Sequence, residues 1–235
     1  MTNTERFIEL WKKLEHVAQM YYNEGKEFKD GGLAYALKKD FDSHKVEYCT
    51  KFRNLVSHKL KFFAIEPTDA MIQFLGETIN TLENPPIISD IWVKEDEIFT
   101  ARLGNKVLPI MKEMRDNNYT HVPIINDNKL VIGVFSENTV FDYLVGNNLL
   151  GIEEDACMSA FEELIPIQKH KNESFQFIPR NSTLYKVKEL FESDFQKRKR
   201  IGMIFATHSG KETEKVLGII TPWDVLGKDD NQRNE

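Results

Sequence analysis

The chain has 235 residues, 41% of them hydrophobic and 29% charged, with a formal net charge of −6 at neutral pH. Those are the proportions of an ordinary soluble globular protein with room for two domains, and the negative balance argues against an indiscriminate nucleic-acid coat. No apolar run approaches the ~18 residues of a membrane span, and Met1-Thr2-Asn3-Thr4-Glu5-Arg6 lacks the basic-then-apolar pattern of a secretory leader, so a cytoplasmic protein with no membrane partner is expected. Cys49 and Cys157 have neither CxxC spacing nor paired histidines nearby, so no disulfide framework and no metal site is expected.

The first eighty or so residues read as helices. Phe7, Leu10, Leu14, Val17 and Tyr21 recur at steps of three and four, and Gly25 and the pair Gly31-Gly32 interrupt the pattern, which predicts one amphipathic helix over residues 4–24. Residues 33–61 read as a second helical stretch with room for a break, with Ala34, Leu37, Phe41, Val46, Phe52, Leu55 and Val56 facing inward. Pro67-Thr68-Asp69 opens a third, capped by Thr68 or Asp69 and striped with Met71, Ile72, Leu75, Ile79 and Leu82. Asn84-Pro85-Pro86 ends it, because proline lacks the helical donor and denies its predecessor the helical conformation. The expected class is therefore α+β: an all-α domain over residues 1–84, then a second domain over residues 85–235.

The second domain contains a repeat. Val131-Ile132-Gly133-Val134-Phe135-Ser136-Glu137-Asn138-Thr139-Val140 returns as Val216-Leu217-Gly218-Ile219-Ile220-Thr221-Pro222-Trp223-Asp224-Val225. Each copy is a β-branched run holding one glycine, a hydroxyl residue where the run stops, and a polar opening into an amphipathic helix, which spells strand, N-cap, helix. Residues 119–125 and 200–207 precede the copies as further apolar runs, joined to them by Asn126-Asp127-Asn128-Lys129 and Ser209-Gly210-Lys211-Glu212-Thr213-Glu214. Two hairpin-like strand pairs, each followed by a helix, thus stand in tandem. The connector between them, residues 146–172, is long for a compact domain. Glu153-Glu154-Asp155 followed by Ala156, Met158, Phe161 and Leu164 predicts a short helix near 153–163, over a cleft or against the helical domain.

The phrase Gly-h-h-[Ser/Thr]-x-x-Asp, where h is apolar, after a strand of the type His121-Val122-Pro123-Ile124-Ile125-Asn126-Asp127 resembles the CBS domain, and two copies resemble the CBS pair, or Bateman module, over roughly residues 87–228. The resemblance implies two βαββα units related by a pseudo-two-fold axis, with clefts between them that hold adenine nucleotides (AMP, ADP or ATP) or related adenosyl ligands as regulators. It makes Thr221 and Asp224 the phosphate and ribose groups of the second copy, and Ser136 and Thr139 their counterparts in the first. The chemistry is sound, since a carboxylate accepts from two adjacent hydroxyls while a helix N-terminus offers free N–H donors to an anion. Thr139 replaces the acid, so one good adenosine site and one degenerate site are expected. Arg200 and His121, at equivalent places before the paired strands, are candidate phosphate partners. With no ligand at all, Thr221 and Ser136 still serve as caps and Asp224 as a first-turn acid.

In the helical domain, Arg53-Asn54-Leu55-Val56-Ser57-His58 resembles the Arg-[Asn/Asp/His]-x-x-x-His motif of the HEPN superfamily, compact helical domains that include metal-independent endoribonucleases and silent relatives. The resemblance covers about residues 1–84. It implies that His58 moves a proton at an RNA 2′-hydroxyl, that Arg53 steadies the scissile phosphate, and that Asn54 orients or polarises. Histidine and guanidinium suffice for such transesterification. On a regular helix, residues five apart are rotated by ~140°, so either the helix breaks between Arg53 and His58 or the site is completed across a homodimer, as HEPN ribonucleases complete theirs. Lys38, Lys39, Lys45, Lys51, Lys59 and Lys61 give that region a local basic excess that could attract RNA. Two functional classes follow: a nucleotide sensor governing a ribonuclease, or a non-catalytic ligand-sensing adaptor whose helical domain dimerises or binds a partner. No P-loop, dinucleotide fingerprint, paired acids at metal spacing or nucleophile elbow supports an enzyme acting on the nucleotide itself.

Overall fold

The structure is a computed structural model that describes residues 1–57, 65–194 and 199–226, leaving aside the side chains of residues 193, 194 and 226. It divides into two compact units, Met1–Pro85 and Pro86–Glu235.

The first unit is helical. Its first helix, α1 (Asn3–Tyr22), starts at Thr2, whose hydroxyl accepts from the Glu5 N–H while the Glu5 carboxylate accepts from the Thr2 N–H, a reciprocal capping box. The second helical stretch is broken, as its sequence allowed, into α2 (Gly32–Asp40) and α3 (Ser43–Ser57). Between them the Asp42 carboxylate accepts from the N–H groups of His44 and Lys45 and starts α3. The fourth helix, α4 (Asp69–Glu83), is capped by the Thr68 hydroxyl on Met71 N–H. Phe7, Trp11 and Leu14 of α1 form one buried core with Leu37, Phe52, Leu75, Ile79 and Leu82. Phe7 and Phe52 meet edge to face at 4.8 Å, a favoured aromatic geometry.

The second unit carries the repeat. In the first copy β1 (Val93–Lys94) and α5 (Val107–Asn117) precede the antiparallel pair β2 (His121–Ile125) and β3 (Val131–Ser136), and α6 (Glu137–Gly146) follows. In the second copy β4 (Glu173–Pro179), α7 (Leu184–Asp194), β5 (Arg200–Thr207), β6 (Gly218–Ile220) and α8 (Pro222–Leu226) come in the same order. The two copies share a sheet: β1, at the head of the first copy, pairs with β6 of the second in the order β1-β6-β5-β4, with β4 and β5 parallel. Gly218 admits this crossing, because a Cβ there would stand 2.5 Å from the Trp92 ring.

The connector departs from expectation. Instead of a helix over 153–163 there is a single 3-10 turn, Met158–Phe161. The reason lies in the backbone groups of the connector: the Ala156 carbonyl accepts from Val107 N–H, and the N–H groups of Met158 and Ser159 donate to the carbonyls of Asn105 and Leu103. Groups paired outward in this way cannot form helical bonds. The turn does not cover a cleft; Met158, Phe161 and Ile165 are fully buried in the core of the first copy with Val107, Ile124 and Phe135. Gly133 is where the connector touches the repeat, since a Cβ there would lie 2.4 Å from the Ile165 carbonyl oxygen, which accepts from Val134 N–H.

Candidate functional site

The hydroxyl at the end of each repeated strand is placed to cap the following helix, and Ser136 does so, accepting from the Thr139 N–H at 3.3 Å. In the second copy the bonds run the other way: Asp224 Oδ2 accepts from the Thr221 N–H at 2.7 Å and from the Thr221 hydroxyl at 2.8 Å. Both residues are half-buried, and Trp223 beside them is 84% exposed. Among the described residues no bond occupies Asp224 Oδ1, so one carboxylate oxygen remains free to accept.

The first copy is occupied differently. Ser136 and Thr139 are buried, and the Thr139 hydroxyl takes Asp224's place by accepting from Ser136 N–H at 3.1 Å. The Ser136 hydroxyl donates to a carboxylate that the sequence did not single out, Glu173 at the head of β4. Glu173 is only 6% exposed, yet it collects three more donors: His121 Nε2 and His170 Nδ1, each at 2.8 Å, and Asn138 Nδ2 at 3.1 Å. Burial alone would raise this carboxyl, but the bonds from His121, His170 and Ser136 outweigh it and hold Glu173 well below the usual carboxylate range. The remaining nitrogen of His170 lies 3.2 Å from the Ile165 carbonyl oxygen. The cluster is thus a buried carboxylate met by four side chains, joining β2, β3, α6, the connector and β4.

The predicted residues therefore separate into two groups. Ser136, Thr139 and His121 meet in one buried cluster, with His121 also packed on Gly202, where a Cβ would stand 2.6 Å from its ring. Thr221 and Asp224 meet in the second copy, and Arg200, exposed, begins the adjacent strand β5. A cleft of about 630 Å³ opens beside β6, lined by Trp92, Lys94, Glu95, Asp96, Arg180 and Leu217 among others. It lies at the Leu217 end of the strand, about 13 Å along the chain from Thr221 at ~3.3 Å per residue, and neither Thr221 nor Asp224 lines it. Among the described residues, no three His, Cys, Asp or Glu side chains are arranged to hold a metal ion; of the imidazole nitrogens around Glu173, one of each ring meets its oxygens and the others meet the Thr120 hydroxyl and the Ile165 carbonyl.

In the helical unit, α3 is unbroken from Arg53 to Ser57, with Arg53 Nη1 donating to Asn54 Oδ1 at 3.3 Å and the Ser57 hydroxyl donating to the Arg53 carbonyl at 2.8 Å. His58, with Lys59 and Lys61, lies outside the described residues. The basic neighbourhood is partly spent: Lys51 and Lys38 reach Glu47 at 2.7 and 3.4 Å, and Lys39 and Lys45 stand over the rings of Tyr35 and Phe74.

Two tandem strand–cap–helix units, the first of which lends β1 to the sheet of the second, make up the second unit. Residues 88–146 match the family described as CBS domain, and the second copy repeats the elements of the first in the same order. The chain is similar to the hemolysin-like protein containing a CBS domain of Oenococcus oeni PSU, at 18% identity over 62% of this chain and 90% of that one, with a TM-score of 0.42. It is likewise similar to CBSX2 in complex with AMP, at 13% identity over 63% of this chain and 99% of that one, TM-score 0.45. The CBS domain pair of MJ0100, in complex with 5′-methylthioadenosine and S-adenosyl-L-methionine, is similar at 16% identity over 63% and 98% of the two chains, TM-score 0.44. No curated protein matches. No helix among the described residues is long and apolar enough to cross a membrane.

Proposed function

We propose that this protein is a sensor of an adenine nucleotide or related adenosyl ligand, bound at the second CBS copy, that regulates its N-terminal helical unit. The observation that carries this reading is the contrast at the repeated hydroxyl: Thr221 and Asp224 keep a free carboxylate oxygen at a half-exposed position, whereas Ser136 and Thr139 are buried and spent. Asp224 is the group to accept from the ribose hydroxyls, Thr221 the group to meet phosphate, and Arg200 the nearby cation. The ligand class comes from the CBS resemblance, and the residues suit it chemically.

The helical unit is the effector in this reading, with Arg53, Asn54 and His58 as a metal-independent ribonuclease site completed across a homodimer. A second reading, a non-catalytic adaptor, is favoured by one observation: two of the lysines that would draw RNA, Lys38 and Lys51, are paired with Glu47, which offsets one of their charges. The sensor reading is tested by melting the full-length protein with AMP, ADP, ATP and S-adenosylmethionine in turn. At least one of them is expected to raise the midpoint by several degrees, because a ligand that binds only the native state stabilises it. If none moves it, the sensor reading fails. Incubation of the same protein with a mixed RNA in EDTA, with and without the stabilising ligand, separates the ribonuclease from the adaptor.

A further inference from the structure

The cluster around Glu173 has the composition of an anion site with its anion supplied by the chain. His121, His170, Ser136 and Asn138 all point donors at one place, and the group found there is a carboxylate. The head of β4 buries Glu173 and Phe175 with Ser174 half-buried between them, and Phe175 shows the kind of apolar side chain an inward position ordinarily holds. A charge is expensive to bury unless several donors meet it. Here four side chains, from β2, β3, α6 and the connector, do so, two of them, Ser136 and His121, being the groups that the CBS resemblance makes candidates for a ligand's phosphate in the first copy.

We propose that Glu173 is the built-in occupant of the first copy's anion site, so that this cleft is closed to phosphate-bearing ligands and the pair takes its nucleotide at the second copy alone. The first half concerns the cluster by itself; the second rests on the sensor reading above. A ligand phosphate could enter the first copy only by displacing a carboxylate anchored in the backbone of β4, which is present at far higher effective concentration than any free anion. Thr139 fits the same picture. With no ribose to hold, the position needs no acid, and an acid there would stand beside Glu173 as a like charge.

Removing the occupant should uncover the site, and a simple anion reports it without any nucleotide. The full-length Glu173→Ala protein is melted in sodium phosphate, sodium formate and sodium chloride at matched ionic strength, beside the wild type and Glu173→Gln. Phosphate or formate is expected to raise the midpoint of Glu173→Ala by about 2–4 °C over chloride, the scale on which ~1 kcal/mol appears in a chain of this size. Wild type and Glu173→Gln, in which the space is filled, should show no such anion preference. Should Glu173→Ala melt without a cooperative transition in chloride, a transition restored by phosphate or formate supports the proposal equally. Equal behaviour of Glu173→Ala in all three salts, or an anion response in Glu173→Gln as large as in Glu173→Ala, overturns it. Because the probes are inorganic phosphate and formate, a failure here leaves the nucleotide reading of the second copy intact, and a failure of nucleotide binding leaves this result intact.

Discussion

The hydroxyl of Ser136 donates to the carboxylate of Glu173, which stands 37 residues further along the chain in the other copy of the repeat. Its counterpart Thr221 donates only as far as Asp224, three residues away. One repeated position thus performs two tasks. In the first copy it ties the two halves of the module together, and in the second it closes a local bond to the acid of its own helix.

Breaking that tie should cost stability out of proportion to one side chain. Glu173→Ala leaves the buried His170 and the half-buried His121 without the acceptor they share, and each buried donor left unsatisfied costs about 1–3 kcal/mol. Urea denaturation in a chloride buffer should show a loss of that order. A loss under about 1 kcal/mol, within the range of ordinary surface changes, would mean that the cluster does not hold the copies together.

The same carboxylate gives the protein a defined response to acid. Glu173 is held below its unfolded value, about 4.3, so its contribution is complete above that pH and is lost as the pH falls toward the depressed folded value. Stability measured by urea should therefore decline below about pH 5, and Glu173→Gln, which has no carboxyl to protonate, should decline less steeply. Parallel curves for the two proteins would rule out Glu173 as the source.

Gly133 should tolerate no side chain. A Cβ there meets the Ile165 carbonyl oxygen at 2.4 Å, backbone that cannot swing aside, and overpacking of this kind costs about 1–3 kcal/mol. Gly104→Ala is the control, since a Cβ at that position meets nothing within 4 Å. Chemical denaturation should separate the two variants clearly; equal stabilities would show that the connector does not press on the repeat.

Much of this architecture was legible in the chain, and what was not had physical reasons. The duplicated phrase marked the strand–cap–helix units because capping and β-patterning are local, and Thr68 was readable as a cap for the same cause. The exchange of β1 was not readable, because a strand of two residues has no period and its pairing depends on Trp92 settling over Gly218. The connector misled because Ala156, Met158 and Phe161 have a helical step, while the backbone of Ala156, Met158 and Ser159 is paired about fifty residues earlier, at Val107, Asn105 and Leu103. Glu173 escaped notice for a related reason. Its signal, a lone acid at an inward position three residues after a histidine, is faint, and its meaning appears only once His121 and Ser136 are folded against it.

If the helical unit is a ribonuclease, His58→Ala should abolish cleavage of a mixed RNA in EDTA, and Arg53→Ala should come close. A positioned proton-transfer group contributes about 10²–10⁴-fold, and charge stabilisation at the phosphate about 10²–10³-fold. Mixing the two inactive proteins should restore part of the activity, because one of the mixed dimer's two sites draws intact residues from both chains. No recovery from a verified mixed dimer would place both residues of a site in one subunit.

The central claim, that the second CBS copy binds an adenosyl ligand through Asp224, is tested most directly by isothermal titration of AMP into wild-type and Asp224→Ala protein. A charge-assisted hydrogen bond contributes about 1.5–3 kcal/mol, whereas a first-turn acid contributes only about 0.3–1 kcal/mol to the helix. The variant should therefore stay folded, by its melting transition, while its affinity for AMP falls about tenfold or more. Unchanged affinity in a well-folded Asp224→Ala protein, or no AMP binding by the wild type, would contradict the account.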